Sequence, residues 1–256
     1  MLTFLRKIRK SLIDSGSTRK YFVYAVGEIA LVVIGILIAL NINNWNQDRI
    51  NNEKQIEYLQ NIVNDIDLHI SNLEYHLKEE NSNLEEMEKL ISHFHENEGF
   101  LLNDTTLQYF GSVFDRTTFL ATRPTYVQLL SSGNIGLIRN DSLRNEIVSY
   151  YQKLERRELI VLKNNDVKDF VINPIFIKNI DLTFESTLKV STGLEENLPS
   201  QLEQTNKNLL EKDRIFEVVN IIKLKFLATY SVIEWFEEDM QGALKMKRLI
   251  NSELRN

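Results

Sequence analysis

The sequence predicts an all-α protein: an N-terminal transmembrane helix followed by an elongated extramembrane helical bundle with long amphipathic helices. Three observations predict it. Helix breakers are scarce, with 3 Pro and 9 Gly among 256 residues. One apolar run is long enough to cross a bilayer. Two later segments hold apolar residues at spacings of three and four over many turns. The length allows one domain or two. The chain has no Cys, which excludes disulfide scaffolds, thiolate metal sites and cysteine nucleophiles.

The net charge of −6 is distributed unevenly. Residues 1–20 form a basic arm, with Arg6, Lys7, Arg9, Lys10, Arg19 and Lys20 against Asp14 alone. Residues 21–40 carry one charge, Glu28, and the remainder is acidic. Such a body is a poor nucleic-acid partner, because phosphate neutralisation needs clustered Lys and Arg. The basic arm suits anionic lipid.

The run YFVYAVGEIALVVIGILIAL occupies residues 21–40. As a helix it reaches roughly 30 Å, the thickness of a hydrocarbon core. Its 12 Leu, Ile, Val and Phe residues favour insertion by about 4 to 7 kcal/mol in total. That outweighs Glu28, whose cost of a few kcal/mol at the bilayer centre falls towards the membrane edge. The run exceeds the apolar core of a signal peptide, and no small-x-small cleavage site follows it. Six Lys and Arg precede the span, whereas Arg49 and Lys54 alone occur in the twenty residues after it. The positive-inside rule therefore puts the N-terminus in the cytoplasm and residues 41–256 on the far side. Gly27, Glu28, Gly35 and Ala39 share one face, with Gly35 and Ala39 a small-xxx-small pair. That face could dock a membrane-protein partner or a second copy. The alternative is a neutral Glu28 reaching headgroups.

From about 44 to 97 the pattern predicts one long helix. Its a positions are Ile56, Val63, Ile70, Leu77, Leu84 and Ile91. Its d positions are Leu59, Ile66, Leu73, Glu80, Met87 and Phe94. Ile62 and Leu90 at g widen the stripe, which suits a bundle better than a two-stranded coiled coil. Glu80 interrupts the d line as a bend or a polar layer. Short helices and loops follow over 99–140. Thr105-Thr106-Leu107-Gln108 reads as a capping box for a helix near 105–116. Pro124 opens a short helix that Gly133 ends. Asn140 or Asp141 caps a helix running from about 141 to 172, before Pro174. Residues 173–199 read as a loop or a short hairpin. Ser200-Gln201-Leu202-Glu203 is another capping box. A last amphipathic helix covers about 213–254, with Thr229 and Lys247 as exceptions in its apolar line.

Motifs for chemistry are sparse. His69, His76, His93 and His95 lack metal-ligand spacing and read as solvated, as does the run Glu79, Glu80, Glu85, Glu86 and Glu88. No phosphate loop, dinucleotide fingerprint or nucleophile elbow occurs, so no catalytic residue, metal or cofactor is expected. Ser132-Gly133-Asn134-Ile135-Gly136 fits a helix stop and turn. Arg123, Tyr126, Arg139, Tyr150 and Tyr151 are the candidate lining of a ligand or partner pocket, or else ordinary core and rim.

Two blocks carry a resemblance. YAVGEIALVVIGILIALNINNWNQDR at 24–49, preceded by a basic arm, and RPTYVQLLSSGNIGLIRNDSLRNEIVSYY at 123–151 resemble domain-of-unknown-function family 6090, an uncharacterised bacterial membrane-protein family. The resemblance implies a single-pass inner-membrane protein with a periplasmic body. It supplies no activity and no residue roles. The expected function is a membrane-anchored, non-enzymatic module that binds a partner protein or envelope ligand through residues 99–200. The alternatives are a membrane-tethered hydrolase with a carboxylate pair and a one-span sensor.

Overall fold

A computed structural model describes residues 18–180, 206–207 and 209–255. The basic arm to residue 17, the expected loop over 181–199 and the capping box at 200–203 lie outside the described residues. Among the described residues there is no strand, and the elements are helices throughout. The chain divides into two compact units, Met1–Glu57 and Tyr58–Asn256.

Helix α1 spans Thr18–Asn97. In the first unit its apolar residues from Phe22 to Leu40 are largely exposed, with Leu31 73% and Ile29 64% accessible. This is one helix long and apolar enough to cross a membrane, and none of its apolar window is buried within the protein. Water does not tolerate a contiguous apolar face of this size on a stable fold.

In the second unit α1 is joined by α2 (Asp104–Phe114), α3 (Pro124–Ser131), a 3₁₀ turn (Asn134–Leu137), α4 (Asp141–Val167), a π turn (Lys168–Ile172), α5 (Asn173–Asn179) and α6 (Lys212–Glu253). Leu59, Ile66, Leu73 and Met87 at the d positions of α1 are buried, as expected. The a positions are only half-buried or, at Ile56, exposed, while Ile62, His69 and Leu90 at g are buried. The stripe is thus centred between d and g, which meets several helices of a bundle.

Several boundaries differ from expectation for local reasons. Asn103, not Thr105, caps α2: its side chain accepts from Thr106 N at 3.0 Å, and Thr106 Oγ1 accepts from Asn103 N at 2.8 Å. Asn140 caps α4 by accepting from Leu143 N at 3.1 Å. Gly133 holds φ at +69°, a left-handed conformation that stops α3. Residues 173–179 are helical rather than loop. Pro174 cannot donate to the carbonyl four residues back and its ring crowds it. The chain widens beforehand, and Asn173 N bonds to Lys168 O across five residues. Pro174 then sits in the first turn of α5, where a missing N–H costs nothing.

Two apolar clusters fill this unit. The first packs Leu59, Ile66 and Leu73 of α1 against Tyr126 and Leu129, the α4 residues Ile147, Tyr151 and Leu154, and Phe236, Met246 and Ile250 of α6. The second packs Met87 and Leu90 against Phe100, Phe110, Phe176, Ile180, Val218 and Ile222. Rings run through the second in sequence, from Phe100 to Phe110 at 5.3 Å and Phe110 to Phe176 at 5.7 Å.

Candidate functional site

Each element that passes from one cluster to the other changes to polar residues on the way. On α1, Glu80 stands between Leu73 and Met87. Thr117 stands between Val113 and Phe119, Lys168 between Val161 and Ile172, and Lys225 with Thr229 between Ile222 and Val232. All five polar side chains are buried. Glu80 therefore belongs to a polar layer, one of its two expected roles, and is not part of a solvated glutamate face.

The layer is partly satisfied. Thr117 Oγ1 donates to Glu80 Oε1. Asn165 Nδ2 donates to the Thr117 carbonyl at 2.9 Å, and Lys225 Nζ donates to the Asp115 carbonyl at 2.9 Å. Arg116 pairs with Asp169. Other groups are left over. Glu80 Oε2 and Thr229 Oγ1 are buried without a hydrogen-bond partner among the described residues. Lys168 forms no ion pair with a described carboxylate. Burial pushes its ammonium down to about 8, helped by Lys225 and Arg116 and opposed by Asp115. Burial also lowers Lys225, against the attraction of Glu80 and Asp115.

Lys168 and Thr229, though not Glu80, border a cavity of about 170 Å³ between α4, the π turn and α6. Thr117, Asn164, Asn165, Lys168, Lys225 and Thr229 give it a polar side. Val161, Ile172, Ala228 and Val232 give it an apolar side, and the more exposed Val167 and Leu224 complete it. A carboxylate pair is not what lines it.

The five candidate pocket residues fall in interior and rim positions. Tyr126 and Tyr151 are buried and stacked, with ring centroids 4.4 Å apart, and Tyr150 meets Tyr151 at 5.0 Å. They are interior packing. Burial raises all three phenols above the ordinary tyrosine value. Arg123 ties the segment before α3 to α4: its Nη2 lies 2.9 Å from Glu158 Oε2, and Glu158 Oε1 accepts from Ala121 N at 2.6 Å. Asp65 of α1 completes the fastening by accepting from Thr125 N at 2.9 Å, in the first turn of α3. Arg139 is exposed just before α4.

Two of the four histidines, His69 and His76, also need correction, whereas His95 is exposed as expected. His69 is buried, 5.8 Å from Phe119, with neither ring nitrogen hydrogen-bonded among the described residues. Burial drives it down to about 4, against the pull of Glu158. It is a neutral core residue at neutral pH. His76 is half-buried and packs against Phe236 at 5.8 Å. Among the described residues no group of His, Asp and Glu has the arrangement of a metal site.

On α1 in the first unit, Gly35 and Ala39 are exposed with Gly27, and Glu28 is half-buried. Nothing lies within 4 Å of where a Cβ would stand on Gly27 or Gly35.

The profile of the Family of unknown function (DUF6090) matches residues 28–227. The chain belongs to that family. Its match takes in Glu28 and Gly35, all of α2 to α5, and Lys168 and Lys225 of the cavity. Thr229 and Val232 lie just past its end. No curated protein and no solved structure matches the chain.

Proposed function

We propose that this family member is a membrane-anchored, non-enzymatic binding module. Residues 21–40 span the inner membrane, the basic arm stays in the cytoplasm, and the helical body in the periplasm binds an envelope ligand or partner protein. The observation that carries the anchor is the exposed apolar surface of α1 from Phe22 to Leu40. Orientation rests on the excess of Lys and Arg before the span. The Gly27, Glu28, Gly35 and Ala39 face gives the span a surface for another transmembrane helix, because small residues let backbones approach closely.

Membrane fractionation with alkaline extraction tests the anchor, and a reporter fused after Asn256 tests the side. The expected result is a chain that stays with the lipid and a reporter active only outside the cytoplasm. Release into the supernatant, or a reporter active inside the cell, overturns the reading. Crosslinking within the membrane should recover an oligomer or partner whose yield falls in Glu28→Leu.

A further inference from the structure

The cavity between α4 and α6 has a composition that selects a ligand chemistry, and this inference rests on the binding-module reading above. At about 170 Å³ it is close to the size of an engineered cavity of ~150 Å³ that takes up benzene. A guest of roughly six to eight non-hydrogen atoms fits that space. Its surroundings divide by polarity. Val161, Ile172 and Val232 are buried and offer only methyl groups. Lys168 and Thr229 line the same space.

Charge decides the sign of the guest. Arg116, from the segment after α2, is already held by Asp169 of the π turn. Lys225 of α6 bonds the Asp115 carbonyl and is attracted by Glu80 of α1 and by Asp115. Lys168 has only the longer-range attraction of Asp115 to set against Lys225 and Arg116. A buried ammonium without a contacting anion is costly, and a guest anion removes that cost. Thr229, 2% exposed and with its Oγ1 unpartnered among the described residues, carries a hydroxyl for a second oxygen.

We propose that this cavity binds a small monocarboxylate with a short apolar tail, its carboxylate held by Lys168 and Thr229 and its tail against Val161, Ile172 and Val232. A cation is repelled by Lys168 and Lys225. An anion without a tail leaves the apolar side unfilled.

The test is calorimetric titration of the full chain in detergent micelles near pH 7, with butyrate as the probe. Butylamine, 1-butanol and inorganic phosphate are the comparison probes. Butyrate should bind saturably and more tightly than all three. Lys168→Met should weaken it at least ~10-fold, the scale of one lost charge-assisted hydrogen bond. Thr229→Val, which keeps the side-chain shape, should weaken it about threefold. Circular dichroism of each variant checks that the helices persist. If Lys168→Met does not fold, Thr229→Val and the probe series decide alone. Absence of saturable butyrate binding overturns the proposal, as does equal binding to a folded Lys168→Met or tighter binding of butanol, butylamine or phosphate. Membrane fractionation is read separately: a chain that stays in the membrane yet ignores butyrate loses the ligand assignment and keeps the anchor.

Discussion

Two of the charges buried in the bundle, Asp239 and Lys168, are treated in opposite ways. Asp239 of α6 is 1% exposed, but cations surround it. Lys153 Nζ stands 3.4 Å from one oxygen and Arg157 Nε 3.6 Å from the other. Arg157 also pairs with Glu238 and lies over the Trp235 ring at 5.1 Å. Burial pushes the Asp239 carboxyl up, and Arg157 and Lys153 pull it back. Lys168 is buried less completely, at 6% exposure, and its neighbours of like sign outnumber the one carboxylate that attracts it. A charge neutralised from within fastens helices. One left to be neutralised from outside costs stability until a ligand arrives.

Removing a partner at the closed site should have the largest effect. Arg157→Met leaves the Asp239 carboxylate underpaired and is expected to cost about 3 to 5 kcal/mol in chemical denaturation. If the loss were under about 1 kcal/mol, Lys153 alone would suffice and the contrast would weaken.

Acid probes a third buried group. His69 titrates at about 4 in the fold, against about 6.5 in an unfolded chain. Well above that unfolded value neither state holds the proton, so stability is unaffected by this group. As pH falls below about 6.5 the unfolded chain takes up a proton that the fold refuses. The loss grows to about 3 kcal/mol by pH 4. Denaturation midpoints at pH 7 and pH 4.5 should separate accordingly, and the separation should shrink in His69→Leu.

At the open site the sign reverses. Lys168→Met should stabilise the chain without ligand by about 1 to 2 kcal/mol near pH 7, allowing for partial solvent screening. With its folded value near 8, the penalty of the charge is fully present below about pH 8. It is released between about pH 8 and the ordinary lysine value of about 10.4. The gain from the substitution should therefore fade over that interval. Thr229→Val should be the mildest change, neutral to about 1 kcal/mol stabilising, because its hydroxyl loses no hydrogen bond. A melting temperature that drops in both variants would mean that the layer is satisfied after all.

How much of this was legible in the sequence differs by region. The d line of α1 was readable because apolar residues that recur at a helical period mark a buried face. His69 was not, since a polar residue at g is ordinarily on the flank of a stripe. Thr229 stood out as an exception in an apolar line, and Lys225 lies one turn before it. Together they were the available signal for the polar layer. Lys168 gave none, because it sits in the mixed stretch from Lys163 to Asp169 and reaches the interior where the helix widens. The two cap sites at Asn103 and Thr105 compete with equal spacing. Asn103 prevails because Thr106 Oγ1 also donates to the Leu101 carbonyl, at 2.9 Å.

The widened turn before Pro174 also sets phase. Lys168, Ile172, Phe176 and Ile180 all face inward at intervals of four. An uninterrupted helix advances about 100° per residue, so that interval would drift steadily around the cylinder. The surplus residue in the π turn absorbs most of the drift. Were residues 168–172 all kept but wound as ordinary α-helix, Phe176 and Ile180 would swing roughly a quarter-turn or more off their seats, so the ring stack at the far end is indexed by the same turn that presents the lysine.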